Sequence, residues 1–188
     1  MRRLIYPMTV SLDGFIAGPD GAIDWSMPDE ELFRFHTRQV QETGVQLCGR
    51  RLYETMLYWE TAQETSLPEE HAEFARIWKA LPKVVFSTTL EGVVGNTRLA
   101  TAGVGEEVAR LKEQPGKDIA VGGAGLARAC MELGLIDEWR LFLSPVLLGG
   151  GTPYIPPLDG MIKLELVDTQ TFGGRVVYLR YRPVSNDL

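Results

Sequence analysis

Asp118-Ile119-Ala120-Val121-Gly122-Gly123-Ala124-Gly125-Leu126 decides how this chain is read. A short apolar run ends on two glycines, and a helical pattern starts at once, with Leu126, Ala127, Cys130, Met131 and Leu133 at helix spacing. The spacing predicts a strand, a tight turn and a helix N-terminus. Glycines at such a turn let a ligand approach the backbone. The unpaired N–H groups and the positive end of the helix dipole suit a phosphate.

Two more strand ends precede it, the first of them another strand–glycine–helix junction. Val45-Gln46-Leu47-Cys48 reads as a strand, and Gly49-Arg50-Arg51-Leu52-Tyr53-Glu54 starts a helix directly behind it. Val84-Val85-Phe86 is a third strand and ends on Ser87-Thr88-Thr89. The first strand, Leu4 to Leu12, is largely apolar, with Pro7 suggesting a bend or a sheet edge. Pro28-Asp29-Glu30-Glu31 opens a helix that the pattern carries to about Thr43, with Gly44 as its stop. Between strand and helix, Phe15 to Trp25 is too apolar for a solvated loop and reads as a lid on the substrate side. Helices over Glu69–Leu81 and Gly105–Glu113 follow, with a short strand near Asn96–Thr101. Glu138–Val146 is a further strand. Lys163–Gln170 and Arg175–Arg182, either side of Phe172-Gly173-Gly174, form a terminal antiparallel hairpin.

Strands alternating with helices make this an α/β protein of three layers, α/β/α. Its mixed central sheet is mostly parallel and ends in the C-terminal antiparallel hairpin. No repeat or linker divides the 188 residues, so residues 1–183 are expected to form one domain, with 184–188 a frayed tail.

The composition narrows the function. A net charge of -6 argues against a general nucleic-acid binder or an anionic membrane surface. No apolar run approaches a membrane span and no signal peptide stands at the start, so the cytoplasm is the expected location. Cys48 and Cys130 lie in apolar segments and read as buried thiols. His36 and His71 have no partners at ligand spacing, so no metal is expected. In an open parallel sheet, ligands bind beyond the carboxyl ends of the strands. Three phosphate-suited junctions there, one with an arginine pair, point to a ligand with more than one phosphate, such as a dinucleotide. Neither Gly-x-Gly-x-x-Gly after the first strand nor Gly-x-x-x-x-Gly-Lys-[Ser/Thr] is present.

These stretches, with Ser11-Leu12-Asp13-Gly14-Phe15-Ile16-Ala17-Gly18 and Leu135-Ile136-Asp137-Glu138 through Pro145-Val146-Leu147-Leu148-Gly149-Gly150-Gly151-Thr152-Pro153, run in order along nearly the whole chain. The chain resembles the dihydrofolate reductase-like superfamily, and within it stand-alone relatives of the reductase domain of bifunctional riboflavin biosynthesis proteins. The resemblance implies that fold and an NADPH-dependent reductase. Its substrate would be a small heterocycle or a ribosylaminopyrimidine, in the manner of dihydrofolate reductase or 5-amino-6-(5-phosphoribosylamino)uracil reductase. By the same resemblance, Gly122, Gly123, Ala124, Gly125 and Leu126 would hold the pyrophosphate with the helix after Gly49. Arg50, Arg51, Ser87 and Thr88 would surround the 2′-phosphate, and Thr9, Ile16 and Ala17 would line the nicotinamide. Relatives often carry a basic residue after the serine; here it is Thr88, which leaves that charge to the two arginines. Counting from Trp25, Glu30 falls nearest the acid of dihydrofolate reductases, and Asp13, in the Ser-Leu-Asp-Gly turn, is the other candidate acid. Trp25, Phe33, Tyr53 and Tyr154 would wall the substrate. A homodimer is also implied. The chain has no His-x-Glu or Pro-Cys-x-x-Cys motif, so no deaminase half accompanies the reductase. The competing readings are a non-catalytic nucleotide-binding protein on the same fold and an unrelated phosphosugar-binding α/β protein.

Overall fold

The structure, a computed structural model, describes residues 1–184; residues 185–188 of the expected tail lie outside the described residues. In chain order the elements are β1 (Leu4–Ser11), β2 (Phe15–Ala17), α1 (Glu30–Gln41), β3 (Thr43–Gly49), α2 (Arg50–Thr61), α3 (Glu69–Ala80), β4 (Lys83–Phe86) and β5 (Thr97–Leu99). Then come α4 (Val104–Glu113), β6 (Asp118–Gly122), α5 (Ala124–Glu132), β7 (Glu138–Ser144), β8 (Thr152–Pro153), β9 (Leu164–Phe172) and β10 (Val176–Pro183). Eight strands form one sheet in the order β5-β4-β3-β6-β1-β7-β10-β9. The first six in that order pair in parallel. β10 pairs antiparallel with both β7 and β9.

Strand alternation sorts the side chains into two faces. Leu4, Tyr6 and Val10 of β1, Val45 and Leu47 of β3, Ile119 and Val121 of β6, and Trp139 of β7 pack with Val108 and Leu111 of α4 and Ala127, Cys130 and Met131 of α5. On the other face Phe142 and Tyr178 pack with Leu32 of α1, while Phe74 and Trp78 of α3 pack with Phe33 and Val40 of α1 and Met56 of α2. The sheet is thus covered by α4 and α5 on one side and by α1, α2 and α3 on the other, the three layers the sequence implied.

Three local expectations change. Pro7 sits neither at an edge nor at a bend; β1 is a central strand, between β6 and β7. Ile119 N donates to Arg3 O and Asp137 N to Leu4 O, so odd-numbered residues of β1 turn their backbone groups toward β6 and even-numbered ones toward β7. The pairing with β6 covers only Leu4 and Ile5. Pro7 faces β6 just past that point, where no donor is required. Second, α1 ends at Gln41, and Gly44 lies inside β3 rather than stopping a helix. A Cβ at Gly44 would stand 2.7 Å from Lys117 O and 2.8 Å from an Arg2 guanidinium nitrogen, so close packing against the loop before β6 requires this glycine. Third, the loop after β1, read as a lid, is tied down. β2 pairs with β8 in a two-stranded ribbon. The Asp13 carboxylate accepts hydrogen bonds from Leu148 N and Gly149 N at 3.0 and 2.7 Å, tying the loop to the glycine segment after β7.

Candidate functional site

The carboxyl edge of the sheet brings two of the glycine junctions side by side. β3 and β6 are neighbours in register, Cys48 opposite Gly122. The helix that follows each, α2 after Gly49 and α5 after Gly123, has no side-chain cap. The first amides of both helices are therefore unpaired, with both positive dipole ends at one place. The turns touch: a Cβ on Gly123, where φ is +97°, would lie 3.4 Å from the Gly49 backbone. A side chain on Gly122 would collide with Leu52. Leu126 faces Gly49, with its Cβ 3.8 Å from where a Gly49 Cβ would stand. Gly125, in the first turn of α5, is exposed with open space above it. Small residues here leave a backbone-lined cradle, and two adjacent helix N-termini suit two linked phosphates.

An outer cleft of about 530 Å³ opens beside α2, lined by Arg50, Phe86, Ser87, Thr88, Thr89, Ala100 and Ala102. Arg50 Nη1 donates to Thr89 Oγ1 at 2.7 Å and Nε donates to Glu54 at 2.7 Å. Ser87 Oγ accepts from Thr89 N and Leu90 N, which shapes the turn behind β4. The expected arginine pair divides: Arg50 lines this cleft, whereas Arg51 is exposed and lines neither cavity.

The inner cavity, about 300 Å³, lies between the sheet and the α1–α2–α3 layer. From the sheet come Ile5, Pro7, Met8, Thr9, Gln46, Ala120, Gly122, Arg140 and Phe142. His36, Gln39 and Val40 come from α1, Leu52 and Met56 from α2, and Phe74 and Trp78 from α3, while Ile16, Ile23 and Ser26 close it from the loop side. Its polar groups are few. Gln46 Nε2 donates to Leu47 O at 3.1 Å. The buried Trp78 indole N–H has no acceptor among the described residues. Burial pushes the His36 imidazole down to about 4, so it is neutral at pH 7. Its ring lies 4.3 Å from that of Phe142. Behind the wall, Glu138 is fully buried and accepts from Arg140, Arg182 and Arg3 at 2.6, 2.8 and 3.1 Å. Burial alone would raise the Glu138 carboxyl, but the arginines outweigh it and hold it below its ordinary value.

Thr9 and Ile16 thus line the inner cavity, as does Gly122; Ala17 is held in the ribbon with β8. The expected substrate wall is elsewhere. Tyr53 is buried beside Cys48 and Val85, its hydroxyl accepting from Val94 N at 3.0 Å. Tyr154 stacks on Tyr6, with ring centroids 4.6 Å apart, and donates to Tyr6 O. Phe33 packs among Trp59, His71 and Phe74 behind the cavity. Trp25 bonds its own loop through Nε1 to Ala22 O at 3.1 Å. None of the four is a lining residue. Glu30 is exposed and ion-paired with Arg34, and Asp13 serves the glycine segment; neither reaches the cavity.

The residues that do line it were the ones the sequence reading passed over. His36, Gln39, Val40 and Thr43 recur at three- and four-residue spacing and share one face of α1 and its exit. Gln46 and Arg140 are buried polar residues on largely apolar strands, and Arg140 shares β7 with the buried Glu138. A buried polar group in an apolar strand was the available signal.

The sequence model of a family described as the RibD C-terminal domain matches residues 2–178. The uncharacterized protein YyaP of Bacillus subtilis (strain 168) is 34% identical over 181 residues, covering 96% of this chain and 94% of that one. Among solved structures, a diaminohydroxyphosphoribosylaminopyrimidine deaminase/5-amino-6-(5-phosphoribosylamino)uracil reductase from Thermotoga maritima aligns with a TM-score of 0.66 at 16% identity, covering 97% of this chain and 57% of that one. Dihydrofolate reductase from Enterococcus faecalis, complexed with NADP(H), aligns with a TM-score of 0.65 at 15% identity over 98% and 97% of the two chains. At these identities the solved structures show the fold, which is dihydrofolate reductase-like. No helix among the described residues is long and apolar enough to cross a membrane, and no acid–histidine–cysteine cluster among them could hold a metal.

Proposed function

The chain belongs to the RibD C-terminal domain family, and from that premise we propose that it is an NADPH-dependent reductase acting on a small ring substrate. One observation carries the reading: two uncapped helix N-termini meet on glycine turns between an outer cleft and an inner cavity. The backbone amides after Gly49 and Gly123 would hold the pyrophosphate, in a cradle that any Cβ at Gly122 or Gly123 would disturb. The outer cleft, with Arg50, Ser87 and Thr88, suits the adenosine end and its 2′-phosphate. Thr9 turns its backbone groups toward the unpaired side of β1, and Ile16 offers an apolar wall, which together suit the nicotinamide.

The bound cofactor supplies the hydride. The chain's part is to fix both rings and to keep water away with Met8, Met56, Phe74 and Phe142. Since neither Glu30 nor Asp13 reaches the cavity, we assign no proton transfer to them. The substrate belongs to the ribosylaminopyrimidine or dihydrofolate class that the two structural neighbours act on. That no aspartate or glutamate lines the cavity among the described residues favours one alternative, a nucleotide-binding protein that does not catalyse. A homodimer would cover Leu164 and Leu166, exposed on the edge strand β9; sedimentation velocity distinguishes it from a monomer.

NADPH oxidation across a panel of folates, pterins and ribosylaminopyrimidines tests the reductase. Turnover on one of them is the expected result. Saturable NADPH binding with no turnover on any would support the non-catalytic alternative.

A further inference from the structure

The inner cavity holds a hydrogen-bond arrangement that bears on which ring it accepts. Arg140 is 8% exposed and lines the cavity. Its Nε and Nη2 both lie 2.6 Å from Glu138 Oε1, and its Nη1 donates to Gln39 Oε1. A guanidinium carries donors only, so it settles which end of the Gln39 amide faces it. The amide oxygen accepts from Arg140, which leaves the two amide N–H donors on the other end of the group, and they make no hydrogen bond among the described residues. Arg140 and His36 are the ionisable side chains of the lining, and no aspartate or glutamate joins them among the described residues.

We propose that Gln39, set by Arg140 and Glu138, selects a ring edged with carbonyl acceptors and rejects one edged with a cationic amidine. The proposal rests on the reductase reading above and concerns the substrate side of that site. An acceptor edge pairs with the Gln39 N–H groups and meets Arg140 with favourable sign. A protonated amidine edge brings donors to donors and a positive charge to a cation, with no carboxylate in the lining to pair it. At about 300 Å³ the cavity stands at the small end of ligand sites, which favours a compact ring over a long conjugate.

Calorimetric titration of the full chain with quinazoline-2,4-dione and quinazoline-2,4-diamine tests this, each with and without NADPH, at a pH where the diamine is protonated. The dione is expected to bind at least about tenfold more tightly, the worth of one well-made neutral hydrogen bond. Gln39→Glu replaces the donors with acceptors and is expected to move the ratio at least about tenfold toward the diamine. Gln39→Leu is expected to weaken the dione without strengthening the diamine. Equal or tighter binding of the diamine to the wild-type chain overturns the proposal. So does failure of both rings to bind, or an unchanged ratio in the folded Gln39→Glu variant. Should that variant not fold, the wild-type ratio and Gln39→Leu decide. The predicted ratio without NADPH binding would refute the reductase and leave this selectivity standing. NADPH binding with the opposite ratio would refute the selectivity alone.

Discussion

Gly125 offers the cleanest separation of stability from binding. It occupies the first turn of α5 in open space, without the positive φ that constrains Gly123. In Gly125→Asp the helix loses a poor helix former and gains an acid at its positive end, worth roughly 0.3–1 kcal/mol from the dipole. The melting temperature should hold or rise. The new carboxylate would face a bound pyrophosphate, so NADPH affinity should fall by about tenfold or more. A normal affinity would show that the phosphates lie elsewhere. Glu138 gives the opposite pattern. It is fully buried with three arginines around it. Glu138→Gln leaves those cations underpaired and should cost about 3–5 kcal/mol in urea unfolding. At this scale the sequence was informative about backbone and weak about side chains. Gly122, Gly123 and Gly49 sit where a strand ends and a helix begins, a pattern visible within ten residues. Tyr53 and Tyr154 looked like substrate walls because aromatic residues serve core and site alike; here the Tyr53 hydroxyl accepts from Val94 N and the Tyr154 hydroxyl donates to Tyr6 O.

Among the elements, the strand–glycine–helix units could be read directly, since apolar runs, glycines and caps are local features. The inner cavity could not. Its walls come from β1, β3, β6, β7 and three helices, and only the sheet order brings Gln39, Gln46 and Arg140 together. Pro7 misled for the same reason: its tolerance depends on β6 pairing with no residue beyond Ile5. Asp13 is an element-level device too. Besides the amides of Leu148 and Gly149 it accepts from the Ser11 hydroxyl at 2.7 Å, and these bonds hold its carboxyl below its ordinary value. Asp13→Ala should release the glycine segment that carries β8, while the main sheet stays intact. Hydrogen exchange should then show lost protection at Leu148 and Gly149 with the amides of β1 and β7 unchanged. Unchanged protection at those two amides would contradict this anchoring role. Gly44→Ala tests the β3–β6 contact. A methyl 2.7 Å from Lys117 O should destabilise the chain by about 1–3 kcal/mol.

For the molecule as a whole, acid should weaken the fold in two stages. His36 is pushed down to about 4 by burial. The unfolded chain protonates this group near its ordinary value of 6.5, before the folded chain can. Stability therefore falls as pH drops from that value toward 4. Asp118 and Glu138 are held low against the cost of burial, by bonds and charges from Arg3 on the first and by Arg140, Arg182 and Arg3 on the second. Their stabilisation is complete above the unfolded carboxyl value of about 4 and is lost as pH falls through the folded values. Urea unfolding across pH should show both stages, and His36→Phe should flatten the first while sparing the second. The central claim is that a dinucleotide spans the molecule from the Arg50 cleft, across the turns at Gly49 and Gly123, to Thr9 in the inner cavity. Its most direct test is calorimetric titration of the wild-type chain with NADPH beside NADP-free controls of nicotinamide mononucleotide and 2′,5′-ADP. The account predicts one saturable NADPH site per chain, with 2′,5′-ADP competing for it; no saturable binding of NADPH up to millimolar concentration would contradict it.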